Sequence, residues 1–191
     1  MTRSTRCAAV CANLDTERYF EGRRDDFRAS LAARGFACHQ YHARGQGEHP
    51  ANWERQQEQV ATWVARLPKP VGILACTDQL GFWLLDACRR AGVAVPEEAA
   101  VVGVENDESL CTLAAPRLSS VAFDGERVGY EAAALLARLM AGGRPPGDPI
   151  LVPPRGLVVR QSSDIVALDD PAVAAAVRHI REHACHGVTV S

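Results

Sequence analysis

The chain has 191 residues, 47% of them hydrophobic and 23% charged, with a formal net charge of −2. That much apolar material buries a core, which excludes a disordered chain, and the near balance of charge excludes a broad positive field for holding phosphate backbones. Seven cysteines, an odd number without regular or C-x-x-C spacing, favour reduced, mostly buried thiols, as in a cytoplasm. The basic start, residues 1–6, leads into an apolar run too short for a signal peptide or a membrane span.

The first predicted strand, 6–12, is such a short apolar run, closed by Asn13 and Asp15. A helix follows over 20–34, with Phe20, Phe27 and Leu31 on one face and Gly35 just past a basic last turn. Strand 36–42 leads to helix 51–67, where Val60, Trp63, Val64 and Leu67 share a face and Pro68 and Pro70 prevent continuation. Strand 70–76, helix 80–91 and strand 99–104 repeat the pattern, with Gly92 stopping the helix. Regular alternation with short links predicts right-handed crossovers and a parallel sheet with helices on both faces. After residue 104 the pattern changes: an extended piece at 116–121, an amphipathic helix at 126–141, a Gly- and Pro-rich loop at 142–149 and a second extended run at 150–160. Asp170 as N-cap and Pro171 at the first helical position open a last helix, 171–185. A boundary near 163–169 divides the chain into 1–165 and 166–191.

In open parallel sheets, ligands sit beyond the carboxyl ends of the strands. Those ends carry Asn13 and Asp15, then Thr77 and Asp78, then Glu105, Asn106 and Asp107. Such donors and acceptors suit the hydroxyls of a neutral polyol better than phosphate; Trp53 offers a flat apolar face and Arg23 a fork of donors. Each has a plainer role beside it: Thr77 and Asp78 capping a helix, 105–108 a solvated acidic loop, Trp53 packing, Arg23 a surface charge. No catalytic motif is present, and no cofactor or metal is expected. His179, His183, Cys185 and His186 have partial ligand spacing but read more simply as structural or surface residues.

Specific stretches carry a resemblance. Residues 67–78 (LPKPVGILACTD), 87–92 (ACRRAG), 95–98 (VPEE), 101–107 (VVGVEND), 116–121 (PRLSSV), 129–133 (GYEAA) and 160–164 (RQSSD) resemble the LacI/GalR-like sensor half of xylose-operon activators. Residues 169–173 (DDPAV) and 179–185 (HIREHAC) resemble the opening of the AraC-type half that follows in those activators. The resemblance implies an α/β, periplasmic-binding-protein-like I fold, a flavodoxin-like parallel sheet flanked by helices. The chain is then the C-terminal lobe plus crossover segments, followed by the first helix of an AraC-type all-α domain. On this reading 116–121 and 150–157 cross between lobes, the helix 126–141 belongs to the other lobe, and the chain stops before either helix-turn-helix is complete. Arg23 matches an arginine that grips sugar hydroxyls, Trp53 the aromatic that stacks on the ring, and Thr77 and Asp78 the pair after the third strand. Glu105, with Asn106 beside it, stands where relatives carry an Asp, one methylene longer here. The implied partners are a sugar effector, D-xylose, and operator DNA reached through the C-terminal domain, in a cytoplasmic homodimer that is no enzyme and touches no membrane. Two other classes share the lobe architecture or its fold: a sugar-binding protein of a transport system, and a small flavodoxin-like α/β enzyme.

Overall fold

The computed structural model describes residues 7–12, 18–42 and 53–165, and beyond them Val173, Ala176, Val177, His179 and Ile180. The elements run β1 (Cys7–Ala12), α1 (Arg18–Ala32), β2 (Cys38–His42), α2 (Trp53–Arg66), β3 (Val71–Ala75), α3 (Asp78–Arg90), β4 (Ala99–Glu105), α4 (Glu108–Leu113), β5 (Ser119–Ala122), α5 (Gly125–Met140) and β6 (Gly156–Val158). They build one six-stranded sheet in the order β2-β1-β3-β4-β5-β6. Strands β1 to β5 are mutually parallel, so their carboxyl ends share one edge. The step from β1 to β2 runs opposite to the steps from β2 through β5. Right-handed connections therefore put α1 on one face and α2, α3 and α4 on the other.

Two departures from expectation concern the end of the sheet. The 150–160 run holds only the three-residue β6, and it pairs antiparallel with β5, so the sheet is mixed rather than wholly parallel. A parallel return needs a crossover helix packed on the sheet face. Helix α5 has no buried residue and exposes Tyr130, Leu136 and Met140, so it folds nothing back over the sheet. The second departure is α4, six residues long, in a stretch to which the sequence pattern assigns no element.

Burial follows the period of two along the strands. In β3, Val71, Ile73 and Ala75 are buried with Val64, Leu84, Leu85 and Val101 on the α2/α3 face, while Leu74 packs from the other face with Phe27 of α1 around Cys76. Contact of Tyr41 in β2 with Trp63 in α2, ring centroids 5.3 Å apart, closes one end of this layer. The single lysine of the chain closes a helix end. Lys69 Nζ donates to the carbonyls of Val64, Ala65 and Leu67 at 3.2, 3.1 and 3.2 Å, capping α2 at its carboxyl terminus. Lys69→Met is expected to lower stability by about 1 kcal/mol, read as a shifted urea midpoint with unchanged slope. An unshifted midpoint would show that water satisfies these carbonyls equally well.

The chain divides into two compact units, Thr5–Asp164 and a second that takes in Ile165–Ser191. In the second, Val173, Ala176, Val177, His179 and Ile180 are helical; the remainder of the expected 171–185 helix lies outside the described residues, as do His183, Cys185 and His186. Among the described residues no helix is long and apolar enough to cross a membrane, and no group of His, Cys, Asp and Glu is placed to hold a metal.

Candidate functional site

The shared carboxyl edge gathers the polar residues at the ends of β3, β4 and β5. Thr77 is the N-cap of α3, its hydroxyl accepting the Leu80 N–H at 3.1 Å, so the capping role foreseen for it is met. Asp78 does something different. Its carboxylate is fully buried: Oδ1 accepts from Ser120 Oγ at 2.5 Å and Oδ2 from the Asp107 N–H at 2.7 Å. It is thus a hub joining α3, β5 and the turn after β4, with both oxygens engaged inside the lobe. Gly103 makes room for it, since a Cβ there would collide with the Asp78 carboxylate.

Beyond Gly103, β4 ends in an unusual turn: Glu105 has φ +117° and Asn106 φ +57°, both without the freedom of glycine. Each such residue costs about 1–3 kcal/mol and persists only where its surroundings over-determine it. Asn106 is held from two sides, its N–H donating to Ser120 Oγ at 2.9 Å and its Oδ1 accepting from Arg160 Nη2 at 2.9 Å. Asp107 is not a solvated acid but the N-cap of α4, its Oδ1 accepting from the N–H groups of Ser109 and Leu110.

The turn points Glu105 at Arg23 of α1. Oε1 lies 3.5 Å from Arg23 Nη1, and the two side chains are 36% and 18% exposed, at the margin between rim and core. The same Nη1 donates to the Cys76 carbonyl at 2.5 Å, which fixes the guanidinium over the end of β3. Burial pushes the Glu105 carboxyl above its usual range; Arg23 pulls the other way, and the charge of Asp78 adds to the rise. At 3.5 Å the two form an ion pair wider than a direct charge-assisted hydrogen bond, a carboxylate acceptor beside a guanidinium donor.

Trp53, the first residue of α2, stands apart from this group in its packing. Its ring meets Trp83 of α3 edge-on, centroids 4.8 Å apart with planes at 71°, and the neighbouring Glu54 pairs with Arg90 of the same helix. Trp53→Ala is therefore expected to cost about 2–3 kcal/mol of stability through lost burial and ring contact, read as a lower melting temperature. A variant that melts like the parent would show the Trp83 contact to be idle.

Arg23, Asp78, Glu105 and Asn106 thus come together, while Thr77 caps the adjoining helix. Asn13 and Asp15 lie outside the described residues. Sequence reasoning passed over Arg160, Ser120 and Trp83 as site or packing residues, since each acts on a partner 30 or more positions away with no local signature. The thiols of Cys76, Cys88 and Cys111 are buried, and burial pushes them up to about 11, 12 and 12, which leaves them unreactive near neutral pH.

The model of the periplasmic binding protein-like domain matches residues 2–163. The chain belongs to that family. Within the periplasmic-binding-protein-like family it is similar to the xylose operon regulatory protein of Haemophilus influenzae, 38% identical over 168 residues, covering 88% of this chain and 43% of that protein. The xylose operon regulatory protein of Escherichia coli is 41% identical over 141 residues, 74% of this chain and 36% of that protein. Among solved structures, a xylose-binding transcription activator superposes with a TM-score of 0.83 at 35% identity, over 97% of this chain and 49% of that one. The chain therefore spans less than half the length of these relatives. Its polar rim lies where parallel strands end and helices begin, the place at which ligands bind in open α/β sheets.

Proposed function

We propose that this chain is the effector-binding lobe of a sugar-responsive transcription regulator of pentose use, with D-xylose as effector. The observation that carries this reading is the Arg23 and Glu105 pair, 3.5 Å apart at the carboxyl edge of the sheet and partly withdrawn from water. A guanidinium donates and a carboxylate accepts, which is the complement of a vicinal diol, and among the described residues no group of His, Cys, Asp and Glu is placed to hold a metal. The names of the relatives, regulators of xylose operons and a xylose-binding activator, support the sugar and the regulatory role. Asp78 and Asn106 act on this reading as the frame that aims Glu105, and Trp53 packs on Trp83 at the start of α2.

The effector would be enclosed when a second lobe closes over this edge, and closure would change how a DNA-binding domain meets its operator. The bare apolar side of α5 supports the second lobe, because an amphipathic helix with no buried residue lacks the surface it is patterned to meet. A groove of about 590 Å³ between α5 and residues 145–152, lined by Val128, Leu135 and Ile150, extends that face. The regulator would work in the cytoplasm as a homodimer, without catalysis.

The test is operator binding by the full-length protein, followed by fluorescence anisotropy with and without D-xylose. The expected result is a sugar-dependent change in affinity or in the shape of the complex. Tight D-xylose binding with no effect on DNA would instead assign the lobe to a carrier protein.

A further inference from the structure

We propose that Arg160 is a positioning residue for the effector site: through Asn106 it holds the turn that aims Glu105, and so ties the sugar-binding edge to the segment where the chain returns to the lobe. The proposal rests on the reading of Glu105 as a sugar ligand. Two successive side-chain-bearing residues at φ +117° and +57° do not hold themselves, since either would relax toward the extended region if released. Relaxation at Glu105 would swing its carboxylate away from Arg23, because side chains of a strand alternate between faces as the backbone straightens.

Three hydrogen bonds oppose that relaxation. Two come from the body of the lobe, the Asn106 N–H to Ser120 Oγ at 2.9 Å and the Asp107 N–H to Asp78 Oδ2 at 2.7 Å. The third is the 2.9 Å bond from Arg160 Nη2 to Asn106 Oδ1, which grips a side chain of the turn from a distant stretch of chain. Arg160 is itself rigidly placed. Its Nη1 donates to the Leu118 carbonyl at 2.9 Å, its N–H donates to Ser119 Oγ at 2.7 Å, and its carbonyl accepts from that hydroxyl at 2.9 Å. Two residues on, Ser162 Oγ donates to the Val101 carbonyl at 2.6 Å and its own carbonyl accepts the Val101 N–H at 2.8 Å. The return segment is thus stitched along β4 and β5, and the planar fork of Arg160 carries its position to the turn. A flexible ammonium could not fix two acceptors in this way.

The experiment is a double-mutant cycle in the full-length regulator, with D-xylose affinity read by calorimetry and folding by melting temperature. Arg160→Met is expected to weaken D-xylose binding by about tenfold in the parent, a loss on the scale of one charge-assisted contact. In the Glu105→Gln background the same substitution is expected to change little, because the carboxylate it aims is gone. Asn106→Gly provides a second variant that allows the positive φ without strain while removing the acceptor and freeing the backbone of the turn, and it should show the same non-additive loss even if Arg160→Met fails to fold. Equal penalties in both backgrounds, or none in either, would overturn the positioning role while leaving Glu105 a ligand. If Glu105→Gln alone binds D-xylose normally, the site reading falls, and this inference with it.

Discussion

Gly103→Ala is expected to lower the unfolding free energy by about 3 kcal/mol, the upper range for forcing a methyl into a close-packed interior. The added Cβ would meet the Asp78 carboxylate, with Leu118 Cδ2 at 3.1 Å and the Asp78 Cα at 3.3 Å. Leu118 can turn to another rotamer, but Asp78 cannot retreat. Its oxygens hold Ser120 and the Asp107 amide, and moving them would strand a buried carboxylate without donors. The urea midpoint measures this directly. A loss below about 0.5 kcal/mol, the range of ordinary surface substitutions, would mean that Asp78 is not anchored as described.

Glu105→Gln in the full-length protein is expected to cost about 1.5–3 kcal/mol of D-xylose binding, roughly a 10- to 150-fold loss, by removing the charge from an acceptor of sugar hydroxyls. Stability should move the other way or stay level. Burial raises the Glu105 carboxyl above the ordinary range of a glutamate. The folded protein therefore holds that proton more tightly than the unfolded chain does. The resulting stabilisation is full below the unfolded value and is lost as pH rises through the folded one. At neutral pH the ionised carboxylate is a burden on the fold, which the neutral amide relieves. Melting temperatures at about pH 4 and about pH 7 separate the cases: the advantage of the Gln variant should appear only at the higher pH. A variant less stable than the parent at neutral pH, with unchanged sugar affinity, would make Glu105 a structural acid.

The strands and long helices were legible because each carries its own period. Val71, Ile73 and Ala75 alternate inward, and Val60 and Val64 recur on one helix face, so β3 and α2 could be read locally. Helix α4 escaped because six residues span too few turns to show a period, although Asp107 followed by Glu108 is a helix-start signal. The antiparallel β6 escaped because strand direction depends on where α5 packs, which no pattern within 150–160 encodes. At the site, Thr77 ahead of an apolar helix announced its cap. The roles of Asp78 and Arg160 did not show, since their partners Ser120 and Asn106 lie 42 and 54 positions away. Glu105 was marked by its place at a strand end, but its strained backbone is a property of the folded turn alone.

The most direct measurement is a crystal structure of the full-length protein grown with D-xylose. The sugar is expected beyond the ends of β3 and β4, with hydroxyls within hydrogen-bonding distance of the Glu105 carboxylate and the Arg23 guanidinium, and with the Asn106–Arg160 bond intact beneath them. D-xylose bound elsewhere, or Arg23 and Glu105 closed on each other with no hydroxyl between them, would contradict the assignment of this edge as the effector site.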